Sequence, residues 1–184
     1  MEKSLLYTIG YGNRKKEDFI DLLKGVGIEY LIDVRSQPYS KFNPSFNQNE
    51  LKFFLPENGV KYVFMGDTLG GRPKDTSCYN REGKVDYEIL KSKDFFLQGI
   101  DRLKTAFSKQ LRVIIMCSEI KPYECHRSKL IGKVLDNEKI PLKHIDEKGY
   151  IRNQVYVINY INKGLSETDL FGDKLKTTSR KSYL

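Results

Sequence analysis

A chain of 184 residues with 39% hydrophobic content can close one core and is short for two, and its three cysteines, an odd number, argue against a disulfide framework. The formal charge of +8 and a pI near 9.2 favour phosphate-bearing partners, because a positive field attracts polyanions and speeds encounter. No run approaches eighteen apolar residues, and the start MEKSLLYTIGYG lacks the apolar core and cleavage site of a signal peptide, so no membrane span is predicted and a cytoplasmic location is expected.

In chain order, LLYTI (5–9) reads as the first strand. The segment KKEDFIDLLKGVG follows as an amphipathic helix, with Phe19, Ile20, Leu22, Leu23 and Val26 on one stripe and a glycine to end it. EYLIDV (29–34) is a second strand, residues 48–56 a short helix, and KYVFM (61–65) a third strand. Residues 66–85 read as a long irregular loop. A helix is predicted over 86–108, a fourth strand at RVIIM (112–116), a helix over 125–137, a fifth strand at LKHI (142–145) and a last helix over 152–162. Strands alternating with helices imply parallel pairing through right-handed crossovers. The expected fold is an α/β three-layer sandwich, with a mainly parallel sheet of about five strands and helices on both faces. Residues 1–164 would form this single domain. Residues 165–184, which include Lys174, Lys176, Arg180 and Lys181, would form a basic, solvated tail.

In such a sheet the ligand crevice lies outside the carboxyl ends of the strands. The segments there are GYGNR, RSQPYSKFNPSF, GDTLGGRP, CSEIKPYECHR and DEKG, which gather Arg35, Arg72, Arg127 and both histidines, His126 and His144. Arginine presents a planar fork to phosphate or carboxylate. His126 and Arg127 open a helix, so an anion near their N–H groups would be stabilised and clamped by Arg35 and Arg127. Asp33 or Glu119 is then available for proton transfer, with His126 as acid or base; Asp33 read instead as a buried arginine partner fits the residues equally. Tyr39, Phe42 and Phe46 are interleaved with Arg35, Lys41 and Asn43 in RSQPYSKFNPSF, a composition that suits either stacking on a base or a lid packed on the sheet. Gly70, Gly71 and Arg72 resemble a phosphate-approach turn, although neither a P-loop nor G-x-G-x-x-G is present.

Cys117 has three readings: an apolar residue at a strand end, a nucleophile activated by a helix N-terminus and an arginine, or a metal ligand with Cys125, His126, Glu119 or His144. Against the metal stand the absence of a C-x-x-C pair and the divergence of adjacent residues on one helix. No metal or cofactor is assigned.

The segments YTIGYGNRKKEDFIDLL, LIDVRSQPYSKFNPSFN, LGGRP, CSEIKPYECHRSKL and HID, in this order, resemble the DUF488 family over most of residues 5–150. The matching positions are Gly10, Tyr11, Asp33, Arg35, Ser36, Pro38, Ser40, Gly70, Gly71, Cys117, Glu119, Cys125, His126, Arg127 and His144. Gly12 stands where many relatives are expected to carry a serine. A fainter likeness links DVR and the later strand-end cysteine to rhodanese-like domains. It implies a thiol mechanism, but ten positions separate Cys117 from Arg127 and two glutamates intervene. The reading that results is an enzyme acting on a nucleotide or nucleic acid. Cys117, Glu119, His126 and Asp33 would be catalytic, and Tyr11, Arg35, Ser36, Ser40, Gly70, Gly71, Arg72 and Arg127 would bind substrate. A non-catalytic nucleic-acid-binding module and a thiol or metal enzyme are the alternatives.

Overall fold

A computed structural model describes residues 6–163 and 178–184. Its elements are β1 (Leu6–Gly10), α1 (Lys16–Gly25), β2 (Tyr30–Asp33), α2 (Gln48–Glu57), β3 (Lys61–Phe64), α3 (Tyr87–Leu90), α4 (Asp94–Ser108), β4 (Val113–Cys117), α5 (Lys133–Asn137), β5 (Leu142–Ile145), β6 (Ile151–Asn153) and α6 (Gln154–Ile161). The sheet order is β3-β2-β4-β1-β5-β6, parallel except for β6, which runs antiparallel to β5.

Alternate residues of the central strands feed two cores. Tyr7, Ile9, Leu31, Ile114 and Met116 pack with Phe19, Leu23, Leu51 and Leu55 of α1 and α2 on one face. Leu6, Ile32, Val113, Ile115 and Cys117 pack with Phe96, Ile100, Leu103, Ile131 and Leu135 on the other, beneath α4 and α5. This is the three-layer α/β sandwich. The chain leaves β1 and β2 toward the first face and β3 and β4 toward the second, as right-handed crossovers require when strand order reverses. The loops after β1, β2 and β4 therefore part over the centre of the sheet and leave a crevice there.

Four local features differ from the sequence reading. A sixth strand exists because the Asp146 carboxylate accepts the N–H groups of Lys148 and Tyr150 at 2.9 and 2.8 Å and turns the chain back at Gly149. The helix expected over 86–108 breaks between α3 and α4, where Ser92 Oγ bonds back to the Ile89 carbonyl at 2.7 Å. The helix expected over 125–137 begins as a π-helical stretch, Arg127–Gly132, and Cys125 is extended. The loop over 66–85 is built rather than loose: Leu69, Cys78 and Val85 are buried, and Tyr79 pairs with Val85.

Part of the expected tail takes part in this packing. Residues 164–177 lie outside the described residues. Beyond them Thr178 bridges Asp86, Val85 N–H donates to Ser179 Oγ at 2.9 Å, and Tyr183 N–H donates to the Gly83 carbonyl at 2.8 Å. Ser179 is buried. Ser179 and Tyr183 are thus held along the 66–85 segment, where the buried Val85 backbone must be satisfied away from water, while Arg180, Lys181, Ser182 and Leu184 are exposed. No helix among the described residues is long and apolar enough to cross a membrane.

Candidate functional site

A cleft of about 410 Å³ lies over the carboxyl ends of β1, β2 and β4. Its floor carries Tyr11, Arg35, Cys117, Glu119 and His126, and its rim carries Ser36, Ser40, Lys41, Arg72, Arg180 and Lys181. Tyr39 and Phe42 also line it and are 66% and 101% exposed, whereas Phe46 is buried, stacked on Tyr11 at 4.6 Å and edge-on to Phe19 at 5.0 Å. The aromatic loop therefore divides its labour: Phe46 anchors it, and two rings stay free at the mouth.

Arg35 and Asp33 form a buried fork, with Nε to Oδ1 at 2.8 Å and Nη2 to Oδ2 at 2.6 Å. Nη2 also donates to the Phe46 carbonyl at 2.8 Å, and Tyr62 Oη donates to Asp33 Oδ2 at 2.8 Å. Burial alone would lower the Arg35 pKa, but the hydrogen bonds and charge of Asp33 more than reverse it and hold the guanidinium ionised. Arg35 Nη1 is buried and has no partner among the described residues. Asp33, expected among the catalytic residues, is fully buried, does not line the cleft and has its carboxylate paired with Arg35.

The expected anion cradle at the helix start is not present. Arg127 is fully buried, does not line the cleft, and sends its guanidinium to the carbonyls of Glu119 and Ile120 at 2.6 and 3.1 Å. Its backbone N–H points at Cys125 Sγ, 3.4 Å away, and the next two N–H groups return to the Cys125 carbonyl. The N–H groups of Arg127, Ser128 and Lys129 are thus taken up by Cys125. The positively charged groups at the cleft are instead Arg35, Lys41, Arg72, Arg180 and Lys181, set against two carboxylates, Glu119 and Glu124. Arg72 lies over the Tyr183 ring at 4.1 Å, and Arg180 pairs with Glu124 at 2.9 Å.

Ser36 Oγ accepts from Arg72 N–H at 2.9 Å, and Ser40 Oγ from Asn43 N–H at 3.1 Å. Gly70 is buried and outside the cleft lining; a Cβ there would lie 2.2 Å from the Gly66 carbonyl, so its smallness serves packing. Gly71 lines the cleft against the His126 ring, where a Cβ would stand 2.9 Å from it. Gly12 has φ of +48° and faces Ile120, whose Cβ an added methyl would meet at 2.6 Å. His144 is fully buried and spends both ring nitrogens internally, on Thr8 Oγ1 at 2.7 Å and Gln154 Oε1 at 2.6 Å.

At the floor, Cys117 Sγ donates to Glu119 Oε2 at 2.6 Å and Cys125 Sγ to the same oxygen at 3.4 Å. Burial pushes the Cys117 thiol well up, and the neighbouring Cys125 and Glu119 add to this, while Arg127, 3.9 Å from the sulfur, opposes it only weakly. A free nucleophilic thiolate, as the rhodanese-like comparison implied, is not what these surroundings favour. Burial would raise the Glu119 carboxyl as well, but the Cys117 thiol and the His126 charge outweigh it and bring it down to about 2. The half-buried His126 places Nε2 3.1 Å from the Leu69 carbonyl.

Sequence reasoning missed Arg180, Lys181 and Tyr183 at the cleft because their basic, Ser/Thr-rich composition reads as a solvated terminus. It missed Glu124 because a single acid between Pro122 and Cys125 carries no pattern.

The model described as a domain of unknown function, DUF488, matches residues 15–134, well over half of the chain. No curated protein matches it. The matched span contains every cleft-floor residue after Tyr11, and on that match the chain belongs to the DUF488 family.

Proposed function

We propose that the cleft binds a phosphate-bearing ligand with a planar ring, a nucleotide or an unpaired stretch of nucleic acid, and that the chain acts on it as an enzyme. The observation that carries the reading is the lining itself: five cationic side chains against two carboxylates, with two exposed aromatic rings at the mouth. Arg180 is paired with Glu124 and Arg35 with Asp33, so Lys41, Arg72 and Lys181 face the single remaining carboxylate of Glu119 and the field is positive. Cationic groups hold phosphate, and exposed rings hold a base face without demanding a particular base. Arg35 supports the same reading, because its unpartnered Nη1 belongs to a guanidinium already oriented by Asp33. In the enzymatic form of the reading Glu119, at the cleft floor, is the carboxylate that faces the bound ligand.

The test is binding of nucleoside mono-, di- and triphosphates and of a short single-stranded oligonucleotide at low and high salt. Micromolar binding that weakens with salt, and weakens about tenfold or more in Arg72→Ala or Lys181→Ala, is the expected result. Absence of binding to all of these at low salt refutes it. Binding with no chemical change in any ligand, equal in the wild type and Glu119→Gln, assigns the cleft to a recognition module instead.

A further inference from the structure

We propose that Cys117, Cys125 and His126 bind one zinc ion at the cleft floor, with Glu119 as the fourth ligand. The two sulfurs and one imidazole nitrogen all lie within 4.8 Å of one another. Cys125 Sγ is 3.6 Å from His126 Nδ1, and Glu119 Oε2 is 3.4 Å from Cys125 Sγ and 2.6 Å from Cys117 Sγ. With Zn–S bonds near 2.3 Å and Zn–N or Zn–O bonds near 2.1 Å, tetrahedral ligands stand about 3.4–3.8 Å apart. Two of the three distances already fall there. The shortest is a thiol proton shared with a carboxylate, and that proton occupies ground a metal would take.

The objection from the sequence, that adjacent residues on a helix point apart, does not hold for this backbone. Cys125 is extended, with φ −115° and ψ 149°, and the helical conformation begins only at His126. After the turn over Pro122–Glu124, Cys125 and His126 converge on Cys117.

Two further observations point to a metal rather than a simple hydrogen-bonded cluster. His126 Nε2 is placed to donate to the Leu69 carbonyl at 3.1 Å, so that in the neutral ring the lone pair lies on Nδ1, the atom facing Cys125. That is the second hydrogen bond metal-bound histidines make. Arg127 donates its backbone N–H to Cys125 Sγ and Nη1 to Cys117 Sγ, at 3.4 and 3.9 Å, and donors to sulfur stabilise thiolates. Two thiolates and a carboxylate around a dication leave one negative charge, which the fully buried Arg127 balances. Two thiolates with an imidazole and a carboxylate suit zinc better than the hard cations. Cys117, Glu119 and His126 line the cleft, so displacement of the Glu119 carboxylate would open a coordination position toward a bound ligand.

The site does not depend on which ligand the cleft takes; zinc binding without nucleotide affinity fails only the preceding reading. The experiment uses the full chain, reduced and stripped by chelator, titrated with Zn²⁺ and with Co²⁺. Expected are about one equivalent bound, a tetrahedral cobalt spectrum with sulfur-to-metal charge transfer, and affinity lower by about 100-fold or more in Cys125→Ser. In the wild type, where no substitution disturbs folding, zinc should slow alkylation of Cys117 and Cys125 but not of Cys78. Failure to bind zinc or cobalt at micromolar concentration, or zinc that leaves alkylation of both cysteines unchanged, overturns the proposal.

Discussion

Lowering the pH should destabilise this protein through His144, a residue remote from solvent. Its ring is fully buried between Thr8 on β1 and Gln154 on α6. Gln154 Nε2 donates to the Ser128 carbonyl at 3.0 Å, so Gln154 Oε1 is the atom offered to His144, and His144 Nε2 must carry the proton. Nδ1 then accepts from the Thr8 hydroxyl, and the neutral ring is fully satisfied. Burial, joined by the charge of Arg127 and opposed by the Gln154 bond, brings the pKa down to about 3 from 6.5. The folded state thus binds fewer protons than the unfolded state between these values. Stability is complete above the unfolded pKa and is lost as pH falls toward the folded one, at about 1.4 kcal/mol per unit. By about pH 4.5 the loss is about 3 kcal/mol, a large part of a typical stability of about 5–15 kcal/mol. Urea denaturation of the wild type and of His144→Gln across this range isolates the term, since all other groups titrate in both. The wild type should lose stability more steeply by about one proton's slope. Parallel curves, or a His144 ring that titrates near 6.5 in the folded protein by NMR, would refute the reasoning; with two histidines in the chain the resonances are readily assigned.

Asp33→Asn removes the charge that orients Arg35 and leaves a buried guanidinium unpaired, so a loss of about 3–5 kcal/mol is expected from urea midpoints. The double variant Asp33→Leu, Arg35→Met should lose less than that, because no uncompensated charge remains. Gly10→Ala places a Cβ 1.8 Å from the Glu119 carbonyl and 2.6 Å from Arg127 Nη1, both rigidly held, and should cost about 2 kcal/mol or more by thermal unfolding. Gly25→Ala, with nothing within 4 Å, should be neutral or stabilising by up to about 1 kcal/mol in the same assay.

The layered architecture was legible because it follows from periodicity. VIIMC, the strand β4, is apolar at every position, as a strand covered on both faces must be, and the stripe of Phe19, Ile20 and Leu23 marks the buried side of α1. Strand β6 was not legible, since three residues with one partly buried side chain carry no pattern; it exists through the Asp146 turn. The residues Tyr11, Arg35, Ser36, Ser40, Gly71, Arg72, Cys117, Glu119 and His126 line one cleft, at the ends of the parallel strands. Asp33, Gly70, Arg127 and His144 fall behind it, because adjacency in sequence does not say which way a side chain turns.

What the sequence by itself determined is the strand-helix alternation, the crevice at the strand ends and the residue types collected there, since these depend on local spacing and on the handedness of crossovers. Which cations face the ligand was decided by tertiary structure. Arg127 is withdrawn to satisfy two carbonyls, while Arg180 and Lys181, distant in sequence, are brought to the rim because Ser179 satisfies the buried Val85 backbone. Tertiary structure likewise decided the convergence of Cys117, Cys125, His126 and Glu119, through an extended residue at Cys125 where periodicity predicted helix.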